Sequence, residues 1–333
     1  MDKKVTINDI AREAGVSRTL VSSVLCNMQR GNKHYRVSEE TTNKIKEVMA
    51  KYDYRPNDSA RTLRSGNNKI IGVILSDISN RFFAEVSRRI EDWAHQFGYL
   101  VIFGNTDEKA ENLAEGVEML YSKGVQGMII VPCPGSEGTI ISYKKRGLPI
   151  VLLDRDFPDS GLSSVVLDNR KASVELTDRL IDEGYSRIEF VSYDTTLANI
   201  QERERGYEDA MKARGLGCNI TIHRPEYGNF EQVETIVLDA YAKKSEAMIF
   251  STYRLALLGR RATIRHNLGN DCSFACFNNS DTFDIYERGM LFVKQPIEEF
   301  ARNSVTLLID EIENGDPECR KLILSPEVEI TNP

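Results

Sequence analysis

From residue 70 onward the sequence alternates short apolar runs with longer stretches of helical periodicity, and this alternation limits the fold more than any other property of the chain. The runs span 70–75, 99–104, 127–131, 150–154, 187–191, 247–250 and 273–277, with helical stretches such as 83–97, 110–123, 171–182, 203–213 and 230–243 between them. Strands that return through helices pair in parallel and need both faces of their sheet covered. So many units exceed one small sheet, and two lobes with a cleft between them are the economical packing. Ligands of open parallel sheets bind beyond the carboxyl ends of the strands. The loops there hold residues 77–83, 154–155, 193–203, 251–254 and 278–281. Their aromatic and charged side chains suit stacking on, and hydrogen bonding to, a small polar ligand.

The first 69 residues follow another rule. Thr6 and Asp9 form the pattern of a capping box, and Ile7, Ile10, Ala11 and Ala14 recur at helical spacing, which predicts a helix over 6–13 that Gly15 stops. Ser17 can cap a second helix with Val21, Val24 and Leu25 inward and Arg18, Thr19, Ser22 and Ser23 outward. Two short helices meeting across a glycine turn let the second enter the major groove, with Arg18 and Thr19 at base edges and Ser17 and Ser22 on phosphates. Taken alone, such a hairpin serves plain packing equally well. Ser38 caps a third helix with Glu39 and Glu40 in its first turn and Ile45, Val48 and Met49 on its inner face, completing a three-helix bundle. After Tyr54-Arg55-Pro56-Asn57, residues 58–64 make a segment of about two turns, too short to hold as an isolated helix until DNA or a second copy orders it. Leu63, between Arg61 and Arg64, suits an apolar wedge in the minor groove. The alternative is a flexible linker with an incidental leucine.

Charge follows the same division. Residues 1–69 hold 14 Lys/Arg against 8 Asp/Glu, a net +6, and the remainder holds 29 against 42, a net −13. A basic head on an acidic body suits a chain that meets phosphate at one end, although a solvated basic surface has the same composition. No run of about 18 uncharged apolar residues occurs, and the opening Met1-Asp2-Lys3-Lys4 leads into no signal-peptide run, so a soluble cytoplasmic protein without membrane contact is expected. Cys26, Cys133, Cys218, Cys272, Cys276 and Cys319 are scattered and read as reduced thiols, buried for packing, with reactive sensing by Cys26 or Cys276 as the alternative. There is no Gly-rich loop followed by Lys-Ser/Thr, no Gly-x-Ser-x-Gly and no His-Glu-x-x-His, and His34, His95, His223 and His266 lie far apart with no catalytic partner in the sequence. An enzyme, a bound metal and a cofactor are therefore not expected.

Asp9-Ile10-Ala11, Ala14-Gly15-Val16-Ser17, Val21-Ser22, Val37-Ser38-Glu39-Glu40-Thr41, and Tyr54-Arg55-Pro56-Asn57 with Ala60-Arg61-x-Leu63, in that order and spacing, resemble the lactose-repressor/galactose-repressor (LacI/GalR) family. Weaker matches at Ile71-Gly72-Val73-Ile74, Asp77-Ile78-Ser79-Asn80, Phe82-Phe83, Asp154-Arg155, Asp168-Asn169, Arg203 with Gly206-Tyr207, and Gln295-Pro296 carry the likeness along nearly the whole chain. The resemblance implies a small all-α helix-turn-helix domain (1–56) and hinge helix (57–68) joined to an α/β two-lobed periplasmic-binding-protein-like domain with parallel sheets (69–333). The first lobe would take about 69–167 and 296–322, the second about 168–295 and 323–333. It further implies a sequence-specific transcription regulator, commonly a repressor of carbohydrate-utilisation genes. Such a protein binds near-palindromic double-stranded operator DNA as a homodimer, with a tetramer the alternative, and Leu63 of each subunit enters the central step. Closure of the lobes on a small-molecule effector would then decide whether the hinge segments order. On that reading Thr6, Ser17, Arg18, Thr19, Leu20, Ser22, Ser23, Asn27, Asn57, Ala60, Arg61 and Leu63 meet DNA, and Asp77, Asn80, Phe82, Phe83, Arg155, Arg203, Tyr253, Arg254, Asn278 and Gln295 line the effector cleft.

The departures from the family pattern are as informative. Leu20 and Ser23 stand where the family commonly has Thr and Arg, so a base preference does not carry over. The stretch 27–36 is about six residues longer than usual and holds Arg30, Lys33, His34 and Arg36, which predicts added phosphate contacts. Tyr253 and Arg254 replace a common Asn-Asp pair, and Asn278 replaces an Asp, so two carboxylates that grip sugar hydroxyls are missing. Arg155, Arg203 and Arg254 are instead expected to converge on an anionic effector such as a sugar phosphate or sugar acid. A cleft that binds no ligand, or that answers to a protein partner, is the alternative. A sugar-binding protein fits less well because of the DNA-binding head.

Overall fold

A computed structural model of the chain describes residues 5–30, 35–52, 54, 68–157, 160–278, 283, 290–315 and 318–331, the side chains at 26, 29 and 30 excepted. The chain forms two compact units, 1–68 and 69–333.

The first unit is a bundle of α1 (Ile7–Ala14), α2 (Arg18–Arg30) and α3 (Glu39–Lys51). Thr6 and Asp9 make the capping box the sequence predicts, and Gly15 ends α1 in the left-handed region at φ +64°, where a side chain would be strained. Ile10, Ala11, Ala14, Val21, Val24 and Ile45 are buried together, and each large one contributes about 1.5–3 kcal/mol by leaving water. Lys51 Nζ and the Tyr52 hydroxyl donate to the two oxygens of Glu13 at 2.6 and 2.8 Å, tying the end of α3 to α1. α2 runs on to Arg30, into the stretch read as extra loop, because Met28, Gln29 and Arg30 are good helix formers.

The second unit contains two six-stranded sheets. In the first lobe β1 (Ile70–Leu75), β2 (Leu100–Asn105), β3 (Met128–Ile130), β4 (Ile150–Leu153), β5 (Ser163–Leu167) and β11 (Lys321–Leu324) lie in the order β11-β5-β4-β3-β1-β2, all parallel. In the second lobe β6 (Ile188–Val191), β7 (Thr221–His223), β8 (Ala247–Phe250), β9 (Ser273–Phe277), β10 (Leu291–Lys294) and β12 (Glu327–Ile330) lie in the order β12-β10-β9-β8-β6-β7, with only β12 antiparallel. Helices α4 (Arg81–Gln96), α5 (Ala110–Ser122), α6 (Glu137–Lys145) and α11 (Ile297–Asn314) belong to the first lobe, and α7 (Asn169–Asp182), α8 (Ala198–Ala213), α9 (Phe230–Ala242) and α10 (Tyr253–Arg265) to the second.

The chain passes between lobes after β5, after β10 and between Leu324 and Glu327. The last passage comes slightly later than expected near 322, because β11 continues beside β5 to Leu324. α8 starts at Ala198, five residues before the helix predicted from 203, so Arg203 stands on a helix and not in a loop. α7 and α8 cross so closely that a Cβ on Gly206 would lie 2.3 Å from the Arg170 carbonyl oxygen. That contact lets the neighbouring Tyr207, fully buried, donate to the Ile188 carbonyl at 2.6 Å.

Candidate nucleic-acid interface and interlobe cleft

On the head, Arg18 and Thr19 are exposed in the first turn of α2, and Leu20, Ser22, Ser23 and Asn27 are half-buried along it. Ser17 Oγ accepts the Leu20 N–H at 3.2 Å, so the hydroxyl that starts the helix has a local partner. Ser23 donates back to the Thr19 carbonyl at 3.0 Å, and Thr6 is engaged in its capping box. Asn27, expected to meet DNA, turns its amide to the chain instead and bonds both backbone groups of Tyr35. Asn57, Ala60, Arg61 and Leu63 lie outside the described residues.

In the second unit the carboxyl ends of both sheets meet across the cleft. Asn199 Nδ2 of the second lobe donates to Asp154 Oδ2 of the first at 3.1 Å, and Arg254 Nη1 and the Tyr227 hydroxyl donate to Asp77 Oδ2 at 3.2 and 3.4 Å. Here lie Ser76 Oγ, Ser192 Oγ, Ser251 Oγ and Gln295 Oε1, buried polar atoms without a hydrogen bond among the described residues, each one residue past a strand. Buried polar groups are nearly always paired, and these gather at two facing sheet ends. Asp154 and Asn278, at the ends of β4 and β9, both hold φ +66°, a costly conformation for a residue with a side chain and one that gathers at binding sites.

The three guanidiniums do not converge as expected. Arg155 is chelated by Glu108 at 2.6 and 2.7 Å and donates to the Pro132 carbonyl at 2.8 Å. Arg254 is held at the rim by Asp77. Only Arg203 lies in the depth without a contacting carboxylate. Its Nε donates to Asn169 Oδ1 at 2.8 Å and its Nη1 to the Ser251 carbonyl at 2.6 Å, and its guanidinium covers the Phe277 ring at 4.0 Å. Burial brings this guanidinium down to about 10 despite nearby Asp154. The same burial raises the Asp154 carboxyl above its usual range, against the pull of Arg155 and Arg203.

Phe82 and Phe83 also differ from expectation: they are packed into the first-lobe core, Phe82 edge-on to Phe83 and Phe300, because the apolar face of α4 begins with them. Asn80 serves as the cap of α4, accepting the Phe82 N–H at 3.1 Å. Tyr253 is half-buried and meets Phe283 edge-on at 5.4 Å, and Gln295 is buried at the second passage between lobes. Glu108 and Tyr227 were not among the expected residues. Glu108 follows β2 at its carboxyl end, the one cue that points to it, and Tyr227 follows β7, a three-residue strand that periodicity does not reveal.

Cys276 is fully buried and burial pushes its thiol well up; Cys272 is raised to about 12 by the same cause. Neither is a reactive thiolate. His223, without a partner in the sequence, acquires one in the sheet: Glu189 Oε2 lies 2.5 Å from its Nε2, and Ser245 donates to the other oxygen of the same carboxylate. The carboxylate sits between serine and imidazole, so no nucleophile–base contact results. Among the described residues no group of three metal-ligating side chains occurs, and no helix is long and apolar enough to cross a membrane.

Residues 6–57 match the model of bacterial regulatory proteins of the lacI family, residues 68–226 that of periplasmic binding proteins and the sugar-binding domain of the LacI family, and residues 177–330 that of a periplasmic binding protein-like domain. Catabolite control protein A of Priestia megaterium is 31% identical over 313 residues, covering 91% of each chain. The lac repressor dimer bound to operator and the anti-inducer ONPF shares the fold at a TM-score of 0.81 and 20% identity over 99% of both chains. A LacI family transcriptional regulator from Enterococcus faecium with bound ribose has a TM-score of 0.70 at 24% identity, over 79% of this chain and 98% of its own. With a helix-turn-helix head, a two-lobed body and likeness along the full length, the chain belongs to the LacI family of bacterial transcription regulators.

Proposed function

We propose that the protein represses carbohydrate-utilisation genes by binding a near-palindromic operator in the cytoplasm as a homodimer, and that a sugar or sugar derivative in the interlobe cleft controls it. The observation that carries the effector reading is the gathering at the facing strand ends of Ser76, Ser192, Ser251 and Gln295, whose buried side-chain oxygens make no hydrogen bond among the described residues. A lining of that character favours a guest rich in hydroxyl and oxyanion groups over an apolar one. Arg203 on the Phe277 ring, with Asn169 beside it, supplies an orienting donor at the base. Ribose in the Enterococcus relative is in keeping with that polarity.

Arg18 and Thr19 are the base-reading residues and Ser17 and Ser22 the positioning ones, with Leu63 as the minor-groove wedge, Arg61 on phosphate, and Asn57 and Ala60 as further DNA contacts. Assembly as a pair is supported by β2, an edge strand that leaves Leu100 66% exposed with Ile102 beside it on the same face. Apolar edges of that kind are covered in stable proteins. Fluorescence anisotropy with fragments of DNA upstream of the protein's own gene tests the reading. One fragment should bind at least a hundredfold more tightly than random DNA of equal length at moderate salt, and a sugar panel should weaken or strengthen that binding. Equal affinity for all fragments would overturn it.

A further inference from the structure

The cleft holds two Arg–carboxylate pairs of opposite construction. Arg155 and Glu108 both belong to the first lobe, meet through two bonds of 2.6 and 2.7 Å, and keep only 9% and 22% of their side-chain surface exposed. Arg254 reaches Asp77 across the lobes through one contact of 3.2 Å, with 46% of the arginine side chain exposed. Separating a buried bidentate pair strands two charges and is costly. Separating a single long contact at a wet rim is not.

Each rim partner also has a second hold. Asp77 Oδ1 accepts from the Ser79 N–H at 2.9 Å and from the Ser79 hydroxyl at 2.6 Å. Arg254 lies over the Tyr227 ring at 5.2 Å. Around Asp77 Oδ2 the Arg254 and Tyr227 donors already converge, 3.3 Å from one another. Tyr193 packs on Tyr227 with ring centres 5.1 Å apart, and its buried hydroxyl, with Thr252 beside its oxygen, donates to no acceptor among the described residues.

We propose that Arg254 is the residue that selects the effector by charge: an oxyanion, phosphate or carboxylate, displaces the Asp77 carboxylate from Arg254 and Tyr227 and takes the Tyr193 hydroxyl as a further donor. The inference rests on the cleft being the effector site. One anionic oxygen replaces another at Arg254, so the cation stays compensated, and Asp77 stays on Ser79. The exchange removes the Asp77 bridge between the lobes and leaves the Asp154–Asn199 bridge, so the nature of the ligand is written directly into how the lobes are joined. A neutral sugar brings no charge to replace Asp77 and leaves the rim bridge closed.

The test is thermal unfolding of the full-length protein, Asp77→Asn and Arg254→Gln, each titrated with inorganic phosphate, with gluconate, and with chloride at matched ionic strength. Asp77→Asn removes the internal competitor and keeps the cation, so its half-saturating phosphate or gluconate concentration should fall about tenfold below that of the unmodified chain. Arg254→Gln should lose the difference between that anion and chloride. A response to phosphate identifies a phosphoryl ligand, and one to gluconate alone a carboxylate. Identical curves for all three proteins with both anions, flat ones included, overturn the proposal. Ribose and Arg203→Met separate the two levels of the argument. A ribose shift that Arg203→Met abolishes, alongside identical anion curves, keeps the cleft as effector site and removes the role of Arg254. Indifference of every ligand response to both Arg203→Met and Arg254→Gln removes the cleft reading itself.

Discussion

Asn27 grips the backbone of Tyr35 at two points: its Nδ2 donates to the Tyr35 carbonyl at 2.8 Å, and the Tyr35 N–H donates to its Oδ1 at 2.9 Å. The amide thus brackets the stretch in which Arg30, Lys33 and His34 stand. Asn27→Ala gives up both bonds, about 1–3 kcal/mol of head stability. If that stretch meets phosphate, affinity for operator and random DNA should fall by one common factor and the salt dependence should flatten. Anisotropy at several salt concentrations checks this; a loss confined to the operator would put Asn27 at a base edge instead.

Arg18 is exposed in the first turn of α2, where a guanidinium can reach the guanine edge. Arg18→Ala should cost about 1–3 kcal/mol of discrimination, roughly ten- to a hundredfold in operator affinity, with little change on random DNA. The ratio of the two dissociation constants is the measurement.

Gly206 faces the Arg170 carbonyl oxygen so closely that a methyl group would sit 2.3 Å from it and 2.7 Å from Ser173 Cβ. Gly206→Ala should destabilise the body by about 1–3 kcal/mol or more, since the two helices must separate. Gly138→Ala in α6 meets nothing within 4 Å and should be neutral or stabilising by up to about 1 kcal/mol. Guanidinium unfolding of both variants makes the comparison.

Glu189 is partly desolvated, which raises its carboxyl, but the bonds from His223 and Ser245 outweigh burial and hold it below the ordinary 4.5. A depressed carboxyl stabilises the fold in full above its ordinary range, and that stabilisation is lost as pH falls through the lowered value. Glu189→Gln should therefore be less stable at pH 7 by about 1–3 kcal/mol. Its stability should also fall less steeply than that of the unmodified chain below pH 4.5. Thermal melts between pH 3 and 7 follow the two curves.

The strands with dense apolar runs were legible: β1, β8 and β9 occupy 70–75, 247–250 and 273–277, as the pattern predicts. β5 was not, because its buried Ser163 and Ser164 interrupt the apolar signal, and β12 was not, because Glu327 and Glu329 make it look like an exposed turn. The cleft was legible as a set of loops, since strand ends are located by the strands. The pairing of its charges was not. Arg155 finds Glu108 across 47 positions and Arg254 finds Asp77 across 177, and nothing local in a sequence distinguishes a compensated arginine from one left for a ligand.

The three passages between lobes have a consequence for biosynthesis. β11, the outer neighbour of β5, is delivered only after residues 168–294 have been made and threaded into the other lobe. Until then a growing polypeptide on the ribosome carries a completed DNA-reading head on a body whose first sheet has an uncovered margin. A chain ending before residue 321 therefore lacks the strand that covers β5, and its first sheet keeps a bare margin on which another extended segment can pair.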